Sequence, residues 1–293
     1  QQSVCVKKNW TATSEKRHER TVKSKRLFLI AGYSAHNIID ASLEYMVRTF
    51  SRMGDVIFVM DSDASKQQLE KIQDCVLHAT ATRHGEYDFG SYKRAYMYAR
   101  DARILPRYDF VYMINDSVYG PLKPIEKILS DMESSNNDAF GLVKNPHRDH
   151  PHIQSWFIGM RKNVFMSTWF DEFMNSITHQ SDKGQITKLY EQGFTALLST
   201  NNIKWGCICT ISGRGVYNNV KKLYKMGIPF IKKASFTRHN GCLGRQILYV
   251  LNHCDTDART AILSGARKTF GEEYINWLLT KNPFKILSRK KKK

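Results

Sequence analysis

A chain of 293 residues with 42% hydrophobic side chains is globular and long enough to bury one large core or two small ones. No stretch approaches the roughly 18–20 apolar residues of a membrane-spanning helix. The six cysteines (Cys5, Cys75, Cys207, Cys209, Cys242 and Cys254) show neither a zinc spacing nor a secreted disulfide framework, so reduced thiols in a reducing compartment are expected.

The formal charge of +18 calls for an anionic partner: nucleic acid, a phosphorylated ligand or an anionic lipid surface. Residues 1–25 form a polar, basic N-terminal segment with nothing signal-like in it. A chain opening at Gln1 is expected to be part of a longer polypeptide with further domains. Residues 26–31 (R-L-F-L-I-A), closed by Gly32, read as a buried strand of a parallel sheet. Residues 38–53 place Ile39, Leu43, Met46, Val47 and Phe50 at helical spacing, with Gly54 as a stop. Residues 55–60 (D-V-I-F-V-M) then complete a β-α-β unit. A helix over 66–74, a strand over 76–79, a helix over 92–105 and a strand over 108–114 continue the alternation, which predicts an α/β domain with a parallel sheet flanked by helices.

Further on, the pattern predicts a helix over 124–132, a strand over 139–143, a His-rich loop over 147–152 and a strand over 155–160. Helices over 163–177 and 183–192 follow. The expected domain spans 26–240, and 241–293 reads as a helical C-terminal extension ending in a basic tail. That tail is amphipathic, with Trp277, Leu278, Leu279, Phe284, Ile286 and Leu287 ahead of a lysine run, and suits an anionic membrane surface as well as a solvated end.

Ligands of such sheets bind beyond the carboxyl ends of the strands. Two acidic clusters are expected there: Asp61-Ser62-Asp63 after the second strand and Asn115-Asp116-Ser117 after the fourth, the latter turning at Gly120-Pro121. A carboxylate flanked by an amide and a hydroxyl suits a divalent metal held against a diphosphate; Asp116 equally suits an Asx cap on the following turn.

The order of these pieces resembles the GT-A nucleotide-sugar transferases, with their Rossmann-type sheet: an aromatic turn at Tyr33, a base-binding Asp61, a glycine-bearing loop over 85–90, and a metal motif at Asn115-Asp116-Ser117. More narrowly, five segments resemble the rhamnan synthesis F family of bacterial cell-surface polysaccharide enzymes. They are Glu86-Tyr-Asp88-Phe-Gly90-Ser-Tyr92, Asn115-Asp116-Ser117-Val-Tyr119-Gly120-Pro121, His152-Ile-Gln154-Ser155-Trp156-Phe157, Tyr190-Glu191-Gln192-Gly193-Phe194-Thr195 and Ile228-Pro229-Phe230-Ile231-Lys232. The resemblance covers roughly 26–236 and implies transfer of rhamnose, galactofuranose or a related sugar. The donor would be a nucleotide sugar and the acceptor a lipid-linked glycan growing into an O-antigen, capsule or cell-wall polymer. The work would be done at the cytoplasmic face of the inner membrane. One departure matters: Asn115-Asp116-Ser117 carries a single carboxylate where an Asp-x-Asp is usual, so the Mg or Mn ion is expected to bind weakly without the nucleotide.

The expected nucleotide-sugar contacts are Tyr33, Asp61, Asp88, Asn115, Asp116, Ser117, Lys144 and Lys232, with Asp116 and His152 as metal ligands and Gln154, Ser155 and Trp156 toward the acceptor. His152 equally suits a polar surface loop, and Lys232 with Lys233 a solvated pair. Glu191 is the expected general base of an inverting displacement, with Asp171 and its neighbour Glu172 as rivals. Of the aromatics Tyr33, Tyr87, Tyr92, Trp156 and Trp169, most are expected in the core. Two other functions compete. A non-catalytic scaffold of a polysaccharide assembly complex would keep the fold and lose the chemistry. A nucleic-acid-binding protein would explain the charge, but the cations lie at the chain ends and no aromatic-interleaved basic stripe exists, so no nucleic-acid partner is expected.

Overall fold

The computed structural model describes residues 25–237 and 243–280. The basic N-terminal segment up to residue 24, the basic tail over 281–293 with its expected membrane contact, and Cys5 and Cys242 lie outside the described residues. By their contacts the residues fall into two compact units: 1–39, 47–116 and 126–212 in the first, and 40–46, 117–125 and 213–293 in the second. Among the described residues no helix is long and apolar enough to cross a membrane.

The first unit carries the expected α/β architecture. β1 (Arg26–Gly32), β2 (Asp55–Met60), β3 (His78–Ala81) and β4 (Phe110–Asn115) pair in parallel in the order β3-β2-β1-β4. Three of these strands are almost continuously apolar because both sheet faces are covered: residues 27–31, 56–60 and 110–114 are all buried. α1 (Ala41–Ser51) links β1 to β2 and is divided between the two units. α2 (Lys66–Glu70) precedes β3, and α3 (Tyr87–Asp101) packs on β1 and β2 before the chain enters β4 on the other side of β1. The order therefore reverses between β1 and β4, the position where an open α/β sheet leaves a crevice at its carboxyl edge.

After α4 (Glu126–Glu133) the sheet continues with β6 (Ala139–Asn145), β7 (His152–Ile153), β8 (Phe157–Arg161) and β9 (Trp205–Thr210). β8 pairs antiparallel with both β4 and β6, which returns β6 and its parallel neighbour β9 to the direction of β1. The sheet is thus mostly parallel. The helix expected over 163–177 is broken into α5 (Lys162–Phe165) and α6 (Thr168–Ser176) by Ser167, whose hydroxyl accepts the Phe170 N–H as a cap. α7 (Lys183–Ile186) runs into a π-helical turn, Thr187–Gln192, and then α8 (Gly193–Thr200). Phe89, Tyr92, Phe170, Phe173, Tyr190 and Phe194 pack together in the buried core of this unit.

The second unit contains the two-stranded pairing of β5 (Val118–Tyr119) with β10 (Ile231–Lys232), and the helices α9 (Gly215–Asn218), α10 (Val220–Lys225), α11 (Leu243–Leu251), α12 (Thr256–Phe270) and α13 (Glu272–Leu278). Tyr119, Leu122, Phe236, Ile247, Val250 and Ile262 anchor its core. The expected C-terminal helices are all present, and they share that core with residues far upstream.

Candidate active site

Asp61 and Asp116, the first residues beyond β2 and β4, stand at the same edge of the sheet. β1 lies between those strands, with Gly32 level with Met60 and Ala31 level with Asn115. The backbone continues the ladder one step on each side, Asp61 N–H donating to Gly32 O at 2.9 Å and Asp116 N–H to Ala31 O at 3.0 Å. Two inter-strand spacings put the pair roughly 10 Å apart.

Asp61 is 6% exposed and builds the loop that leads into α3. Its Oδ1 accepts the N–H groups of His84 (2.7 Å) and Gly85 (2.9 Å). His84 Nδ1 in turn accepts the Glu86 N–H at 3.1 Å, so its proton is on Nε2, which donates to Ser91 Oγ at 3.0 Å. Burial, and then Arg94, lower the His84 pKa, so the ring is neutral and its 3.8 Å approach to Asp61 is not an ion pair. Gly90 is required here: a Cβ would collide with Glu86 Cβ and come 2.9 Å from His84 Cε1. Gly90→Ala is therefore expected to destabilise the protein by about 1–3 kcal/mol, the range for overpacking a tight contact, and urea denaturation checks it.

This loop starts α3 at Tyr87, five residues before the helix expected over 92–105, and thereby puts Asp88 in the first turn. Asn115 Nδ2 donates to Asp88 Oδ2 at 2.6 Å, joining the loop to the end of β4. Behind them lies Tyr92, 1% exposed, its hydroxyl donating to Ser155 O at 3.1 Å. Burial first, and then the charges of Asp88, Asp116 and Glu191, push the Tyr92 phenol well above its ordinary pKa, while its hydrogen bond with Asn115 acts the other way. The phenol thus lies within the field of three carboxylates which, with the Asn115 amide, come from three separate sequence segments.

Glu191 lies on the π-helical turn, an irregularity that recurs at functional sites. Its side chain is 19% exposed and held on two sides. Oε1 accepts the Ser155 N–H at 3.3 Å and Oε2 the Ser155 hydroxyl at 3.2 Å. His152 Nε2 is 3.6 Å from Oε1. His152 is buried, and its Nδ1 is 2.7 Å from the His150 carbonyl, which can only accept, so Nδ1 carries the proton. Nε2 then faces Asn145 Nδ2 at 3.4 Å and Glu191. The geometry therefore sets His152 beside the expected base. Among the described residues no group of three or more His, Cys, Asp or Glu side chains is arranged to hold a metal ion.

The remaining expected residues divide. Tyr33 is 51% exposed just beyond β1, with the Arg83 guanidinium 5.3 Å from its ring centroid. Arg83, which the sequence did not single out, is anchored by its own N–H to Asp63 Oδ1 at 2.8 Å. Tyr87 is also exposed, whereas Tyr92 and Trp156 are buried and Trp169 packs against the core. Gln154, Ser155 and Trp156 are buried too, with Trp156 Nε1 donating to Gln154 Oε1 at 2.8 Å. They support the site from beneath instead of lining it. Lys144 is the penultimate residue of β6, but its ammonium lies 4.9 Å from the Trp205 ring centroid, and Trp205 pairs with Ala139 at the start of that strand. The side chain therefore runs back along the sheet, away from the carboxyl edge.

Asp171 is ion-paired with Arg100 at 2.8 Å. Arg100 is twelve positions along α3 from Asp88, about 18 Å at ~1.5 Å per residue. Asp171 is thus at the far end of α3 from the carboxylates around Tyr92. Ser117 and Lys232 belong to the second unit, where the Lys232 ammonium donates to Ser117 Oγ at 2.8 Å.

The profile of the family described as Rhamnan synthesis protein F matches residues 56–293. No curated protein matches the chain. Among solved structures, the mannosyltransferase Ktr4p from S. cerevisiae is similar at 9% identity, covering 56% of this chain and 65% of that one, with a TM-score of 0.36. A putative nucleotide-diphospho-sugar transferase from Desulfovibrio desulfuricans G20 is similar at 16% identity, covering 81% and 98% of the two chains, with a TM-score of 0.34. Core-mannan synthase A from Aspergillus fumigatus in its Mn/GDP form is similar at 11% identity, covering 57% and 66%, with a TM-score of 0.29. The chain thus spans just under two thirds of the length of Ktr4p. The assignment of site residues rests on the geometry above.

Proposed function

We propose that this chain, which belongs to the rhamnan synthesis protein F family, transfers a sugar from a nucleotide-sugar donor to a glycan hydroxyl at the carboxyl edge of its sheet. That family is of the glycosyltransferase type. The observation that carries the reading is the bond that ties Asp88 to Asn115, beside Asp116 at the carboxyl edge of the sheet.

In this reading the donor's base stacks at the exposed Tyr33, beside Arg83, and its diphosphate runs toward Asp88 and Asp116. The oxygen donors there suit a hard divalent cation such as Mg or Mn. Asp116 and Asp88 would hold it, with phosphate and water oxygens completing the shell. When bound, such an ion supplies neutralisation of the charge on the departing diphosphate. Glu191 takes the proton of the acceptor hydroxyl. A carboxylate can accept that bond in addition to the two from Ser155. The acceptor oxygen attacks the anomeric carbon, the bond to the diphosphate breaks with its electron pair left on the phosphate oxygen, and inversion follows. Rhamnose or galactofuranose as the sugar, a lipid-linked bacterial surface glycan as the acceptor, and a site of action at the cytoplasmic membrane face supported by the basic tail complete the proposal.

His152 serves here as a positioning residue for Glu191. His152→Asn keeps a donor toward His150 O and removes the Nε2 arm. Removing the ring that abuts Glu191 loosens the carboxylate and should lower kcat about two- to tenfold with KM for the donor unchanged, as steady-state kinetics would read. The function itself is tested by incubating the full chain with UDP-, GDP- and dTDP-sugars, with and without Mn²⁺, and following nucleoside diphosphate release. Metal-stimulated release from one donor is expected. A chain that neither binds nor cleaves any of them is a scaffold.

A further inference from the structure

The cavity at the opposite, amino edge of the sheet has no part in the chemistry described above. It measures about 660 Å³, within the range of small-molecule sites. Its walls come from the chain entering β1, the turn between α1 and β2, the start of β3, the end of α3 and the turn before β4. β1 alone separates it from the carboxyl edge by about 20 Å, six steps of ~3.3 Å, so a donor bound at Asp61 and Asp116 does not reach it.

The charge of this cavity is predominantly positive, with Asp55 the one carboxylate in its lining. Lys25, Arg52 and Arg107 converge on it from three different turns and are all exposed. Among the described residues none of the three side chains is in an ion pair. The fourth cation, Arg26, is occupied: its guanidinium holds Glu133 at 2.6 and 2.7 Å. The acidic groups nearby are engaged as well. Asp55 accepts the Tyr108 hydroxyl at 2.7 Å, and Asp109 the Lys25 N–H at 2.9 Å. The lip is apolar and planar: Leu77 is 48% and Tyr98 37% exposed, and Tyr98 stacks on His78 with ring centroids 3.8 Å apart. Three cations with no ion-pair partner among the described residues, around a cavity with an apolar lip, form a receptor for an anion that carries an apolar or planar part.

We propose that this amino-edge cavity is a second ligand site, which takes a phosphate or diphosphate group borne on an apolar or aromatic molecule. The group sits among Lys25, Arg52 and Arg107, and the apolar part lies on Leu77 and Tyr98. A soluble phosphate ester and a phospholipid headgroup share this chemistry, and the two arms of the test separate them.

The test uses the full chain in EDTA. Phenyl phosphate and inorganic pyrophosphate are titrated calorimetrically, and vesicles of phosphatidylglycerol and phosphatidylcholine are tested by co-sedimentation. Each is run against the wild type, Arg52→Glu with Arg107→Glu, and Asp116→Ala. Saturable binding of phenyl phosphate, weakened at least about tenfold by the double charge reversal and unchanged by Asp116→Ala, is the expected result and identifies a soluble ligand. Vesicle binding alone, lost in the same double variant, identifies a headgroup. Both substituted arginines are exposed, and unchanged Tm values exclude misfolding. The proposal is overturned if no probe binds, or if binding survives the double reversal or disappears in Asp116→Ala. The last result would assign the anion to the carboxyl edge.

Discussion

Replacing Glu191 by Gln is expected to lower turnover by about 10²–10⁴-fold, the usual contribution of a general base, while leaving the affinity for the nucleoside diphosphate unchanged. The substitution keeps the shape of the side chain. One terminal atom still accepts from Ser155, so the π-helical turn and the Tyr92 phenol behind it keep their places. What is lost is the capacity to take a proton from the acceptor. Single-turnover measurements with saturating donor isolate that step, and an unchanged rate in Glu191→Gln would remove the residue from the role. Asp171→Asn provides the contrast: its carboxylate is tied to Arg100 and Asn175, and its loss should leave single turnover as it is in the wild type.

Asp116→Asn should have the complementary signature. Removing one group that stabilises charge developing on the departing diphosphate costs about 10²–10³-fold. The loss should appear in kcat/KM, together with a weakened response to Mn²⁺, because the neutral amide is a poorer ligand for a hard cation. Asn at 116 leaves the backbone N–H to Ala31 O in place, so Tm should change little. A variant with wild-type kcat/KM and wild-type dependence on Mn²⁺ would remove Asp116 from the diphosphate. The two substitutions thus separate binding from proton transfer: one spares nucleotide affinity and the other does not.

The parts of the site on β1, β2 and β4 were legible because strands covered on both faces must be apolar throughout, and the first polar residue after such a run marks the edge. Asp61, and Asn115 with Asp116 beside it, follow from that rule. The start of α3 was not legible. Residues 84–90 contain two glycines and read as a loop, and only the tertiary bonds from Asp61 to His84 and Gly85 set the helix origin at Tyr87. Lys144 was expected just past the strand over 139–143 and lies inside β6, and which way a long side chain turns depends on its neighbours, here Trp205 on a strand that the sequence pattern missed. β9 escaped notice because its apolar run, W-G-C-I-C, is short, and a run of that length does not by itself tell a strand from another buried segment. The interleaving of residues 40–46 and 117–125 with 213–293 leaves no local trace, since it rests on contacts between segments distant in sequence. His152 had the clearest alternative reading. A histidine in a polar loop suggests a ligand or a surface group, and burial against Glu191 is a property of the fold.

The central claim is that the carboxyl edge of the sheet, between Asp61 and Asp116, holds an activated sugar by its base and its diphosphate. The most direct measurement is the shift in Tm of the full chain on adding UDP, GDP or dTDP, each with and without Mn²⁺, in the wild type and in Asp116→Asn. The account predicts that one nucleoside diphosphate stabilises the wild type, more so with Mn²⁺, and that the metal-dependent part disappears in Asp116→Asn. Equal response to all three, or to none, with Asp116→Asn indistinguishable from the wild type, would contradict it.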